Sequence, residues 1–371
     1  MKVLVTGGAG FIGSHLVDGL VKNGYEVIVY DSLEEQVHQG KKPDYLNKDA
    51  RYIWADVRDY DSFKKALIDV DAVFHFASMV GVGQSQYEIR KYMEVNDLGT
   101  ANLWDILVNN KHKVKKVIIS ASMSSYGEGL YNCPKCGGVK PSLRNEEQLK
   151  NKNWELYCPD CGAELEPVPT DERTPLMPNS IYALSKKIQE ETSLLVGKLY
   201  DIPVTSLRFF NAYGMRQSLS NPYTGVCAIF IARIKNGKSP LVFEDGNQSR
   251  DFVSVHDIVR AAVLALEREE ANYQICNIGS GTPIAIKEMA HLLSRLFNKD
   301  VAPSIPGSYR KGDVRYCYAD ITNTKRILNW SPEIDISAGL KELIEWAKTE
   351  PSFDKFDKAF DELIQKKLIK I

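Results

Sequence analysis

Lys2-Val3-Leu4-Val5-Thr6-Gly7-Gly8-Ala9-Gly10-Phe11-Ile12-Gly13 opens the chain, and its reading decides the fold. The first five residues form a short apolar, β-branched strand. Ser14 to Asn23 then carries Leu16, Val17, Leu20 and Val21 at helical spacing, and Gly24 ends the run. Tyr25 to Tyr30 is a second strand, closing on Asp31. Strand, glycine turn, helix, strand and acid in that order predict a dinucleotide site. Gly7 and Gly10 let the backbone approach a pyrophosphate, and the helix beginning at Phe11 and Ile12 offers free N–H groups and a favourable dipole. Asp31 is placed to accept hydrogen bonds from the adenosine ribose. A carboxylate there repels a 2′-phosphate, which favours NAD over NADP.

The alternation continues outward. Arg51 to Ala55, Ala72 to Ala77 and Lys116 to Ser120 read as strands, with helices around residues 61–69, 94–109 and 182–200. Repeated βα units predict an α/β fold with a doubly wound parallel sheet of Rossmann type. Ligands then lie at the carboxyl ends of the strands, so Asp56, Val57, Phe76 and Ala77 are expected at the cofactor. His75, inside an apolar strand, reads as a core histidine.

A second group of residues carries chemistry. Ser122 follows the strand that ends near Ser120, and Tyr182 and Lys186 stand four apart at the start of a helix, on one face. An ammonium one turn from a phenol is expected to lower its pKa. Tyr182 then serves as general base toward a hydroxyl, assisted by Ser122, while Lys186 also holds the nicotinamide ribose.

Between Ser122 and Tyr182 lie Cys133-Pro134-Lys135-Cys136 and Cys158-Pro159-Asp160-Cys161. This ribbon-like spacing predicts a structural four-thiolate Zn²⁺ site with no open position. The insertion spans about 130–168, and its polar linker Arg144 to Asn153 is expected to be ordered by the metal. Cys227, Cys276 and Cys317 read as buried small hydrophobes.

The 371 residues have a net charge of −1, so no overall basic field draws the chain to nucleic acid or anionic lipid. No apolar run is long enough to span a membrane, and no leader precedes the first strand; a cytoplasmic location is the expectation.

Further stretches carry a resemblance: Val95-Asn96-Asp97-Leu98-Gly99-Thr100, Arg208-Phe209-Phe210-Asn211-Ala212-Tyr213-Gly214, Gly246 to Val253, Asn277-Ile278-Gly279 and Gly312-Asp313. Together with the glycine turn and Tyr182-x-x-x-Lys186, they resemble extended short-chain dehydrogenases/reductases of the nucleotide-sugar epimerase/dehydratase family. The resemblance covers residues 1 to about 345, the cysteine segment apart. It implies a cofactor contact at Asn96, with Phe210 lining the nicotinamide pocket. Ser124 and Asn211 would contact the sugar or phosphates, and Val226 the substrate. Phe243 would lie beside the nucleobase, Arg250 and Arg310 would grip the diphosphate, and Asp313 would reach the ribose. It also implies a homodimer through helices near 94–109 and 182–200. The implied division is an NAD-binding domain over 1–206 and a smaller mixed α/β substrate domain over 207–371, with about 250–270 returning to the first.

Within the family, dehydratases and decarboxylases carry carboxylates where this chain has Met123 and Ser124. What remains is chemistry at C4: oxidation, then reduction from the other face. Val80 to Ile89, Ser122 to Tyr131 and Ser220 to Val226 resemble the dTDP-L-rhamnose 4-epimerase group. UDP-hexose or UDP-hexuronate 4-epimerisation is the alternative, and NAD(P)H-dependent reduction of a 4-ketosugar a further one. The tail from Ser352 to Ile371 reads as an amphipathic helix with Phe353, Phe356, Phe360, Leu363 and Leu368 near one stripe, packed on its own domain.

Overall fold

The computed structural model describes residues 1–223, 225–299 and 301–370. Thr224, inside the Ser220–Val226 stretch, and Ile371, the last residue of the expected tail, lie outside them. Seven parallel strands form the main sheet: β1 Lys2–Thr6, β2 Glu26–Asp31, β3 Arg51–Trp54, β4 Ala72–His75, β5 Lys116–Ser122, β6 Val204–Phe209 and β7 Gln274–Ile278. Their order is β7-β6-β5-β4-β1-β2-β3. The order reverses between β1 and β4, where Val5 pairs with Phe74, and the carboxyl ends there open a crevice.

Alternation along the strands builds two cores. Val3, Val5, Val27, Val29 and Phe74 point to one face, with Leu16, Val17 and Leu20 of α1 (Phe11–Lys22). Leu4, Ile28, Tyr30 and Val73 point to the other, against Leu103, Trp104 and Leu107 of α2 (Gly99–Asn109). A parallel sheet covered on both faces demands this run of apolar residues. Helix α3 (Ile181–Leu199) also covers the second face, through Leu194 and Val196. On the first face, α4 (Val255–Glu267) lies beside α1 through Ile258, Ala261 and Ala262.

The return of the second half to this sheet goes beyond the expected 250–270. Strand β7 completes the edge, and Ile327, Leu328 and Trp330 join the first core. The cause is β6, buried along its whole length, which needs a partner on its outer side. The smaller unit packs short strands, among them Ser249–Ser254, against helices Val226–Lys235, Ile286–Leu296 and Ile336–Thr349 around Phe230, Ile231, Leu293 and Leu343.

The inserted segment forms a three-stranded antiparallel sheet. Leu130–Cys133 is central, between Gly137–Val139 and Glu166–Val168. Its own core is small: Tyr131, Cys133, Leu156, Cys158 and Leu165. Within the polar linker, Arg144 is buried against the body of the protein. The tail also departs from expectation. Its helix is shorter, Phe356–Gln365, and Phe353 precedes it, 62% exposed. After it, Ile369–Lys370 pairs antiparallel with Tyr309–Arg310. Among the described residues, no helix is long and apolar enough to cross a membrane.

Candidate active site

A cavity of about 570 Å³ runs from the glycine turn, past the ends of β4 and β5, to the smaller unit. At one end, Gly7 holds φ +70°, and a Cβ there would stand 2.9 Å from the backbone of Ala77. A Cβ on Gly13 would meet the Gly7 carbonyl oxygen at 2.1 Å, so the helix start nests on the turn only without side chains. Gly10 caps α1 without a side chain, which leaves the first-turn N–H groups facing the cavity. Asp31 accepts from the N–H of Ala9 at 2.9 Å and of Leu33 at 2.8 Å, fixing its carboxylate at the rim. Phe11, Ile12, Asp56, Val57, Phe76 and Ala77 line the same wall. This donor and acceptor set fits a dinucleotide with free ribose hydroxyls.

Asn96 is fully buried, behind Met79 and Val95 of the lining. Its Oδ1 accepts from the Met79 N–H at 2.8 Å, and its Nδ2 donates to the Met79 carbonyl and to Ser185 Oγ at 2.9 Å. The amide is spent on holding the Met79 loop, and Met79 and Val80 line the cavity in its place.

The chemistry-bearing side chains come from β5 and α3. Ser122 ends β5, and its Oγ accepts from the Ser124 N–H at 3.2 Å and from Ser124 Oγ at 2.8 Å. Ser180 caps α3 by accepting from the Ala183 N–H at 3.1 Å. Ser125 Oγ, just past β5, donates to the Ala183 carbonyl at 3.2 Å and ties the two elements together. Ser122, Ser124, Tyr182 and Lys186 all line the cavity.

The electrostatics of the pair differ from expectation. Burial pushes the Tyr182 phenol above its ordinary value, and the neighbouring Ser122 hydroxyl acts in the opposite sense. Lys186 turns its amine toward β5 and its own helix. Its Nζ donates to the Ser120 carbonyl at 2.7 Å, Ser120 Oγ at 3.2 Å and Gln189 Oε1 at 2.9 Å. Burial lowers its pKa to about 7, only partly opposed by Asp97. Asp97 itself is raised to about 6 by burial. His75 is a core residue, fully buried, with Thr6 Oγ1 at 3.0 Å from Nδ1 and Thr100 Oγ1 at 3.2 Å from Nε2.

At the far end, Phe210, Asn211, Val226, Phe243, Arg250, Arg310 and Asp313 line the cavity. Arg310 Nη2 donates to Asp313 Oδ1 at 2.9 Å, and Arg250 stands 3.8 Å from the same oxygen. Burial raises the Asp313 carboxyl, but the two guanidiniums outweigh it and hold the pKa below its ordinary value. Asn211 Oδ1 and Arg310 Nε are buried without a partner among the described residues. The unspent Arg310 N–H beside Arg250 suits a phosphate-bearing ligand, and the Asn211 oxygen a ligand hydroxyl.

The sequence reading missed one wall. Phe356, Ala359, Phe360, Leu363 and Ile369 of the tail line this end, and Phe360 stacks on Phe243 with ring centroids 6.2 Å apart. The apolar stripe was visible in sequence; what it covers was not.

In the inserted sheet, the sulfurs of Cys133, Cys136, Cys158 and Cys161 all lie within 4.8 Å of one another, with 3.5 Å between Cys133 and Cys161. A disulfide needs about 2.0 Å. Four thiolates about 2.3 Å from one tetrahedral metal stand about 3.8 Å apart, so the four sulfurs could hold a metal ion. Cys227, Cys276 and Cys317 are buried apart from it.

A dinucleotide crevice joined to a Ser–Tyr–Lys group and an arginine-lined chamber defines a class: cofactor-dependent enzymes of the extended dehydrogenase fold. The family model for the NAD dependent epimerase/dehydratase family matches residues 3–151 and 158–279, and the chain belongs to that family. It is 33% identical over 352 residues to a dTDP-L-rhamnose 4-epimerase of Burkholderia thailandensis, covering 94% of this chain and 95% of that one. A Thermotoga maritima UDP-glucose 4-epimerase, solved with UDP-glucose, is 31% identical with a TM-score of 0.76, covering 93% and 98% of the two chains. A mutant UDP-glucuronic acid 4-epimerase of Bacillus cereus, solved with a fluorinated UDP-glucuronic acid and NAD, is 27% identical with a TM-score of 0.77, covering 94% and 99%.

Proposed function

We propose that this chain is a nucleotide-sugar 4-epimerase that retains NAD, with conversion of dTDP-L-rhamnose to dTDP-6-deoxy-L-talose as the first reading. The observation that carries it is the single cavity shared by the glycine turn, Ser122, Tyr182, Lys186 and the Arg250–Arg310–Asp313 group. NAD, when bound, supplies a reversible two-electron acceptor. Tyr182 takes the proton from the sugar 4-hydroxyl and returns it after the 4-keto sugar has turned over. Ser122 hydrogen-bonds the same oxygen, and Lys186 holds the nicotinamide ribose. Arg250 and Arg310 anchor the diphosphate, so the sugar can present either face. Met123 and Ser124 bring no carboxyl group to this point, which favours chemistry confined to C4.

The similarity to the Burkholderia enzyme supports the thymidine-linked substrate. The second reading, a UDP-hexose or UDP-hexuronate 4-epimerase, is supported by the likeness to the two UDP-sugar enzymes. Purified protein without added cofactor, given dTDP-L-rhamnose, UDP-glucose, UDP-N-acetylglucosamine and UDP-glucuronate, decides by NMR. A C4 epimer in one tube names the sugar. Turnover of a 4-ketosugar only with added NADH or NADPH overturns the proposal in favour of a reductase.

Three further assignments belong to the same proposal. Structural Zn²⁺ sits on Cys133, Cys136, Cys158 and Cys161, supported by the sulfur spacing. The protein is cytoplasmic, where thiols stay reduced. It is a homodimer through residues 94–109 and α3, where Leu98, Leu184, Leu195 and Leu199 are exposed.

A further inference from the structure

Arg144 lies in the chain between the two cysteine pairs, yet its side chain is only 2% exposed. It is buried behind the residues that line the substrate chamber. Its Nη1 donates to Glu244 Oε2 at 2.8 Å and to the Trp154 carbonyl at 3.1 Å. Its Nη2 donates to the Asp313 carbonyl at 3.0 Å. One guanidinium therefore bridges the segment after Phe243 and the loop that carries Arg310 and Asp313. Glu155, from the same insertion, repeats the grip. It accepts from Arg315 Nη2 and, at 3.2 Å, from the Tyr316 hydroxyl. Arg315, fully buried, also donates to Glu244 at 3.1 Å and Asp245 at 2.6 Å. Trp154 packs on Tyr309, and Glu146 pairs with Lys311 at 2.9 Å. Four side chains of the insertion thus hold one loop of the chamber.

The apolar packing within the insertion is slight. Its apolar core is five buried residues, two of them the cysteines Cys133 and Cys158. A core that small does not order a chain segment alone, and binding of a structural metal to four thiolates is then folding energy.

We infer that the four-cysteine module is a positioning clamp for the nucleotide diphosphate. Metal on the four sulfurs fixes Arg144 and Glu155 against the two segments that present Phe243, Arg310 and Asp313, so affinity for the nucleotide follows metal occupancy. The inference rests on the substrate reading above. Arg144 is a positioning residue: it acts through the loop and touches no reacting atom.

Titration calorimetry with UDP and with dTDP separates the two ideas. The protein as purified, its metal counted by elemental analysis, is compared with chelator-stripped protein, with Cys136→Ser/Cys161→Ser, and with Arg144→Gln and Arg144→Lys. The expected result is one metal per chain, and a nucleotide Kd raised about tenfold on metal loss. KM for the sugar rises in parallel while kcat and bound NAD change little. Arg144→Gln raises Kd alike with metal retained, and Arg144→Lys restores part, since lysine keeps the charge without the fork. Equal affinity with and without metal, or purified protein lacking metal, overturns the clamp and leaves the epimerase reading intact. Purified protein that binds neither nucleotide overturns the substrate reading and the clamp with it. If the cysteine variant does not fold, chelator titration and the two Arg144 variants carry the decision.

Discussion

At the scale of single residues, burial sets the chemistry of the Tyr182–Lys186 pair more than their spacing does. Tyr182→Phe removes the proposed proton acceptor, and kcat should fall by about 10²–10⁴-fold. Copurified NAD and the melting temperature should stay near wild type. An active phenylalanine variant would assign the base elsewhere. Lys186 yields a pH prediction. Its pKa is about 7 in the folded protein against an ordinary 10.5. Between those values the unfolded chain binds the extra proton, so stability rises with pH across about 7 to 10.5, by up to about 1.4 kcal/mol per unit for one such group. Urea midpoints of wild type minus Lys186→Met should climb across that window. A flat difference would mean that the amine is solvated.

Elements position these residues, and two of them can be tested alone. Helix α3 starts on the Ser180 cap, two residues before Tyr182. Ser180→Ala should cost about 1 kcal/mol, read as a lower melting temperature, with a loss of kcat as the helix start frays. The tail helix brings Phe360 onto Phe243. Phe360→Ala should raise KM about fivefold, the equivalent of about 1 kcal/mol, with kcat little changed. A kcat effect alone would place the tail in the catalytic step rather than in binding. The legibility of the sequence divides along the same line. Strand, turn and helix of the dinucleotide half were readable because local spacing dictates them, and β1 to β5 stand where the apolar runs lay. The direction of Asn96 was not readable, because a motif position reveals residue type alone; its amide turns to Met79 and Ser185. Arg144 looked like linker charge because its partners, Glu244 and Asp313, lie 100 and 169 residues away. Long-range polar contacts leave no periodic trace.

For the whole molecule, light scattering should give the mass of two chains, and Leu195→Lys on the exposed face of α3 should shift it toward one. A wild-type monomer would remove the dimer from the proposal and leave those leucines as surface. The sheet topology has a consequence for biosynthesis. Strand β6 ends at Phe209, but its outer neighbour β7 begins only at Gln274, 274 − 209 = 65 residues later. At about 5–20 residues per second, a ribosome takes roughly 3–13 s to make that interval. Throughout it the nascent chain shows an unpaired edge whose six residues are all buried in the finished sheet. Such an edge templates association with other chains. Slower elongation or added holdase should therefore raise the yield of soluble protein without moving its melting temperature.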